Sequence, residues 1–305
     1  MSYQIVTDAT SDLTPDLLAG LPPLAVVPMP VNIDGEPHSF GPGGDLAADS
    51  FYGILRNGSF GSTSMINPVT YMEVFEPILQ RGEDLVYFCF SSGLSGTYQG
   101  ALLCMEELRE KYPQRKLCYV DTLSASIGEG QLILGALRQQ QAGIPLDGLV
   151  EWVENHRQRL CHLFMVDTFE HLRRGGRVSA AVAVAGTALQ IKPMLFVDDK
   201  GLLEVSDKPR GRKRATQRLL DQFASLYDPQ VDGTVFVGHG DCPDEAQALK
   251  AAVLALHPKA TVHIASVGPV IGSHTGPGIL ALTFFAKTRD CLLYTSPSPR
   301  DTERS

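Results

Sequence analysis

Two short segments combine hydroxyl side chains with glycine in the densities that chemistry needs: Ser91-Ser92-Gly93-Leu94-Ser95-Gly96-Thr97-Tyr98 and Gly272-Ser273-His274-Thr275-Gly276-Pro277-Gly278. The first follows an apolar run, Leu85 to Phe90, and precedes a helical pattern. Hydroxyls at such a strand-to-helix turn form an anion cradle together with the unpartnered N–H groups of the first helical residues. Ser95 also begins a G-x-S-x-G elbow at Gly93, but the fifth position is Thr97 instead of glycine. Anion binding, a serine nucleophile and a plain helix cap are therefore the three readings of this turn.

Phe60-Gly61-Ser62-Thr63-Ser64-Met65-Ile66-Asn67-Pro68 is a second hydroxyl cluster, ahead of a helical stretch at Val69 to Leu79. Alone it reads as an N-cap; beside the segment at 91 to 98 it becomes the second wall of one anion site. Arg173-Arg174-Gly175-Gly176-Arg177 places three guanidinium groups on a glycine turn, suited to bidentate contact with a carboxylate or phosphate or simply to a solvated surface. His274 lies between glycines and a Pro-Gly pair, which predicts a ring carried on a tight loop. Lys208, Arg210, Arg212, Lys213 and Arg214 start a helix, as a solvated face, an RNA contact or a docking patch for an acidic or nucleotide-carrying partner. The chain has no G-x-x-x-x-G-K-[ST], G-x-G-x-x-G or H-E-x-x-H.

These residues need a scaffold, and the hydrophobic pattern supplies one. Runs of strand length at Gln4 to Val6, Leu24 to Met29, Leu85 to Phe90 and Leu117 to Val120 alternate with amphipathic helices, including one with Tyr98, Leu102, Met105 and Leu108 on a single face and another from Ile127 to Gln140. This alternation predicts an α/β domain with a mainly parallel sheet flanked by helices. Further on, Leu160 to Val166, Leu189 to Val197, Leu202 to Val205, Val235 to Val237 and Val262 to Val267 read as strands, with a hairpin at Asp198-Asp199-Lys200-Gly201 and helices over the Leu219, Leu220, Phe223, Leu226 stripe and from about Asp244 to Leu256. That half predicts an α+β domain with antiparallel pairing. The natural cut lies near 143 to 160, giving domains 1–155 and 156–287. From 288 to 305 an apolar pattern gives way to Thr295-Ser296-Pro297-Ser298-Pro299, a disordered or artefactual tail.

At 305 residues with 44% hydrophobic content, the chain is long enough for two ordinary globular domains. Its net charge of −8 argues against general nucleic-acid binding. Six cysteines, at 89, 104, 118, 161, 242 and 291, show neither C-x-x-C nor close Cys/His spacing, so reduced thiols are expected, with no metal site. The start has no secretory pattern, and the longest small-apolar stretch, Ala180 to Ala185, is too short for a bilayer, so a cytoplasmic protein without stable membrane insertion is expected.

Taken in chain order, Thr7-Asp8-Ala9-Thr10-Ser11-Asp12-Leu13, Thr63-Ser64, Ser92 to Tyr98, Gly175-Gly176-Arg177, Ile191-Lys192-Pro193 and His274 to Gly278 resemble the DegV family over residues 3 to 287. These are bacterial fatty-acid-binding proteins that serve as the carrier subunit of fatty acid kinase. The resemblance implies a long-chain fatty acid held at the junction of the two domains. It implies that Thr63 and Ser95, with Ser64 and Gly96 beside them, bond the carboxylate, and that Arg177 and His274 complete its polar network. Arg210 resembles the arginine needed when the acid is presented to an ATP-dependent kinase. No cofactor and no independent turnover are implied. One departure is Met65, where many members have Gln. Two other functions remain open: a serine hydrolase using Ser95 with His274, and a fatty-acid-sensing regulatory protein acting through the cluster at 208 to 214.

Overall fold

A computed structural model describes residues 2–178 and 190–289. The Ala180–Ala185 stretch, Leu189 and the tail from 290 onward, Cys291 included, lie outside the described residues. Four strands, β1 (Tyr3–Asp8), β2 (Leu24–Val27), β6 (Asp84–Cys89) and β7 (Leu117–Asp121), form an all-parallel sheet in the order β2-β1-β6-β7. All six residues of β6 are buried, as expected of a parallel strand covered on both faces. Its crossovers run through α3 (Pro68–Gln80), which precedes β6, and α4 (Thr97–Lys111), which joins β6 to β7.

The expected strand from Leu24 to Met29 is two strands. Pro28 cannot donate to a ladder and breaks the run, so Met29–Ile33 (β3) leaves the parallel sheet. It forms a separate sheet with β4 (Glu36–Phe40) and β5 (Gly61–Thr63), in the order β4-β3-β5. On α4 the buried stripe is Ala101, Cys104, Met105 and Leu108, whereas Tyr98 and Leu102 are only half-buried. The small side chains turn inward because α4 packs close against α3, where Tyr71 meets the backbone at Gly100.

The second sheet holds six strands in the order β10-β9-β8-β13-β11-β12: β8 (Leu160–Met165), β9 (Met194–Val197), β10 (Leu203–Asp207), β11 (Thr234–His239), β12 (Thr261–Ser266) and β13 (Leu280–Phe285). The expected hairpin joins β9 to β10. The expectation of antiparallel pairing fails at one place: β11 and β12 run parallel, because a full helix (Pro243–Leu256) crosses between them. The cut after residue 155 falls inside the helix Leu146–Arg157, so the second sheet begins at Leu160. Helix α5 (Ser126–Gln141) is buried on almost every side over its first three turns, and packs against strands of the second sheet while following the last strand of the first. Arg289, expected to lie in the tail, belongs to the fold instead: its side chain is buried and its backbone N–H donates to the Gln158 carbonyl at 3.0 Å.

An ion-pair network ties the segments around Lys192 and Gly278 to this sheet. Asp167 accepts from Lys192 Nζ and Arg212 Nη1, both at 2.7 Å, and Arg212 also forks onto Glu245 and donates to the Gly278 carbonyl at 2.8 Å. Removing the shared guanidinium leaves the half-exposed Glu245 without its partner and Asp167 with Lys192 alone. Arg212→Ala is expected to lower unfolding stability by about 1 to 3 kcal/mol in urea titration. An unchanged midpoint would show that the network contributes nothing.

Candidate functional site

In the parallel sheet, the chain moves from β1 outward to β2 on one side and from β6 outward to β7 on the other. The crevice between the carboxyl ends of β1 and β6 is thus a topological switch point, where open α/β sheets bind ligands. The Ser91–Tyr98 turn sits there. Ser95 accepts from the Thr97 N–H at 3.2 Å and its hydroxyl donates to Thr97 Oγ1 at 2.8 Å, so it does cap α4. The second sheet clamps the same turn: Ser91 Oγ donates to the Gly201 carbonyl at 2.8 Å, and Arg177 Nε donates to the Leu94 carbonyl at 3.1 Å.

Thr63 ends β5, and its hydroxyl lies 2.8 Å from Nε2 of His274. His274 is not on a loop, as expected from its glycine neighbours, but in the last turn of a short helix, Pro269–Thr275. Gly276 ends that helix with φ 73°, and a Cβ there would strike the His171 ring, so only glycine fits. The imidazole also packs directly on Gly175, where a Cβ would lie 2.1 Å from Nδ1. Burial, then the nearby Arg177 and His171, push His274 down to about 4, so the ring is neutral at physiological pH.

Thr63, Ser95, Arg177 and His274 all line one cavity between the two sheets, with about 780 Å³ of space between its atoms including the part open to solvent. Away from these polar groups its wall is largely apolar, with Phe90, Ile127, Phe164, Val197, Ile271 and Ala281 among the contributors. The structure therefore gathers side chains from four separate segments of the chain at one place. Ser64 and Gly96 are exposed and are not among the residues lining the cavity; Ser64 lines a shallow surface pocket with Met65 instead. Met65 is 62% exposed with its sulfur against Gly96, so it covers the outside of the turn. Arg210 is exposed and pairs through its backbone with Ile191, while the neighbouring Arg212 is the residue drawn into the ion network. The Ser95 proton is directed at Thr97 and His274 Nε2 at Thr63, so the two residues of the hydrolase reading do not bond each other.

A buried acidic group beneath the switch point escaped the sequence reading. Thr7 and Thr10 donate to Glu129 at 3.0 and 2.7 Å, Tyr87 and the Phe90 N–H donate to Asp8 at 2.8 and 3.1 Å, and Ser126 donates to Asp12. The segment Thr7 to Asp12 thus earns its place by fixing β1 to β6 and to α5. Burial raises the carboxyls of Asp8 and Glu129, and pushes Asp12 up to about 7 with the charge of Asp8 adding to it. Between the ordinary range near 3.8 and about 7, the folded state holds a proton at Asp12 that the unfolded chain releases, so stability falls as pH rises through that window. Asp12→Asn is expected to narrow the loss of urea midpoint between pH 5 and pH 8; a loss as large as that of the parent protein would contradict this.

Two sheets closing on an apolar cavity, with polar side chains gathered at the switch point of a parallel sheet, define a class of α/β proteins with an apolar pocket. A family model described as "Uncharacterised protein, DegV family" matches residues 2–287. The DegV domain-containing protein CPE0026 of Clostridium perfringens is 36% identical over 288 residues, covering 94% of this chain and 99% of that one. The chain belongs to the DegV family. Among solved structures, a DegV family protein from Thermus thermophilus, described for its fatty acid binding, is 31% identical with a TM-score of 0.82, covering 94% of this chain and all of that one. The Streptococcus pneumoniae fatty acid kinase B3 protein loaded with linoleic acid shares the fold at a TM-score of 0.82 with 19% identity, again covering 94% of this chain and 100% of that chain.

Proposed function

We propose that this protein binds one long-chain fatty acid, its alkyl tail in the cavity and its carboxylate at the mouth, and presents that carboxylate to a separate ATP-dependent fatty acid kinase in the cytoplasm. The observation that carries this reading is the convergence of Thr63, Ser95, Arg177 and His274 on one largely apolar cavity. Burying a tail of about 14 to 16 methylenes is worth roughly 11 to 13 kcal/mol gross, at about 0.8 per CH₂, before ordering costs. The tail supplies affinity; the head sets orientation. A carboxylate leaving water requires charge-assisted partners, which Arg177 and the hydroxyls of Thr63 and Ser95 provide. The neutral imidazole of His274 holds Thr63 in place and can donate or accept without adding a second positive charge.

Phosphoryl transfer to the carboxylate would need ATP and Mg²⁺, which the kinase brings; the carrier positions the acceptor oxygen and shields the acyl phosphate from water. Arg210, exposed on the surface, is assigned to the encounter with that kinase. The test is to mix the lipid-loaded protein with a bacterial fatty acid kinase and ATP and to trap acyl phosphate as a hydroxamate. Product is expected with the parent protein, and much less with Arg210→Ala at equal lipid loading. No product with any fatty acid kinase would reject the kinase half of the proposal while leaving lipid binding intact.

A further inference from the structure

Exposed apolar side chains gather beside the turn that carries Ser95. Six large hydrophobic residues are exposed among the described residues, and three of them, Met65, Val69 and Leu103, lie on or next to α3 and α4 at 62, 61 and 67% exposure. The Met65 sulfur rests on Gly96, which caps α4 and follows Ser95 in the chain. Leu103 comes three residues after Gly100 and seven after Gly96, so the three share one helix face. Val69 precedes Met72 and Glu76 on α3 at the same spacings, and those two side chains reach Cys104 and Tyr112 of the helix beside it. Val69 therefore leans toward α4. Single exposed apolar residues are ordinary, but a cluster next to a binding site marks a contact surface.

Charge narrows what that surface can meet. Glu73 and Glu107, each one turn beyond an apolar member of the patch, are exposed, and the first 150 residues hold 7 Lys+Arg against 17 Asp+Glu. An anionic lipid surface is repelled by such a rim. A protein with an apolar centre and a basic border fits it.

Distance narrows it further. Phosphoryl transfer needs the attacking oxygen within about 3 to 3.5 Å of phosphorus, so the kinase must close over the residues that hold the carboxylate. A standard protein interface takes about 800 Å² from each partner, a disc of roughly 16 Å radius. Leu103, at the far end of the patch, is about 10 Å along the helix from Gly96. An interface centred on Thr63 and Ser95 has the reach to cover the whole patch.

We propose that Met65, Val69 and Leu103 form the docking surface for the fatty acid kinase, an apolar contact made while the kinase nucleotide site faces the carboxylate. The inference rests on the kinase reading above and deepens it by locating the surface the partner uses.

The test measures acyl phosphate formation by a bacterial fatty acid kinase against the concentration of lipid-loaded carrier. A double variant, Val69→Gln with Leu103→Gln, is expected to raise the KM for the carrier about tenfold or more with kcat near that of the parent, while its urea midpoint and fatty-acid affinity stay unchanged. Leu256→Gln removes another exposed apolar side chain, on the helix before β12, and is expected to leave KM as it was. A parent-like KM in the double variant, or a rise no larger than that of Leu256→Gln, would overturn the inference and leave the kinase proposal standing. Normal transfer combined with slower uptake of fatty acid from phosphatidylglycerol vesicles would make the patch a lipid contact and overturn it equally. Absence of transfer from the parent protein would remove both proposals.

Discussion

Arg177→Ala is expected to weaken the binding of a long-chain fatty acid by about 10²-fold. In the structure this guanidinium crosses from the end of the Glu170–Arg174 helix to the Leu94 carbonyl and also bonds the Gly175 carbonyl. It is the cation among the four mouth residues, because His274 is neutral. Hydrogen bonds to a charged group contribute about 1.5 to 3 kcal/mol each, and leaving a desolvated carboxylate short of one costs at the upper end of that range, which is roughly a hundredfold. Arg177→Lys, which keeps the charge but loses the planar fork, should recover part of the affinity. Fluorescent fatty-acid displacement measures all three proteins. An Arg177→Ala variant that folds normally and binds as the parent does would detach this residue from the head group.

The second large effect comes from the tail. Ala281 is 7% exposed on the central strand β13 and lines the cavity opposite Phe164. A phenylalanine there projects into existing space instead of an already packed core, so the fold should tolerate it. An alkyl chain stopped at that level leaves several methylenes outside. Excluding about four forfeits about 3 kcal/mol, again roughly a hundredfold, and more for longer acids. Ala281→Phe should therefore keep the parent's thermal midpoint, bind octadecanoic acid poorly, and shift its preference toward short acids. Equal affinity for long acids, with retained fold, would mean that the chain does not run past this residue.

The two predictions draw on features that were unequally visible in the sequence. The parallel half was legible because its strands are short apolar runs separated by amphipathic helices, a pattern set by backbone hydrogen bonding and two-sided burial. The sheet formed by β3, β4 and β5 was not, since β4 (Glu36–Phe40) carries Pro37 and polar residues and none of its five residues is buried. Its importance is positional: β5 delivers Thr63. The parallel pair β11 and β12 also went unseen, because strand direction depends on where the intervening helix docks, which periodicity does not report.

At the site, the hydroxyl turn at 91 to 98 was legible as a strand-to-helix junction, and Arg177 and His274 came with the motifs that mark the family. What was not legible is convergence. Ser64 and Gly96 share motifs with Thr63 and Ser95, yet successive residues of an extended segment point to opposite faces, and Ser64 ends on the surface. Arg212 looked like one member of a solvated basic run, and only its contact with Asp167, 45 residues away in the chain, reveals its work. Long-range pairing supplies this information, and composition and spacing do not encode it locally.

The central claim is that the apolar cavity, with its mouth of threonine, serine, arginine and histidine, is occupied by the tail of a fatty acid. Native mass spectrometry of protein freshly purified from a bacterial host tests it most directly, with organic extraction to identify what is released. The account predicts a single stoichiometric adduct with the mass of a long-chain fatty acid, depleted in Arg177→Ala and Ala281→Phe. Protein that is consistently free of lipid, and stays so after incubation with saturated, unsaturated and hydroxylated acids, would contradict it.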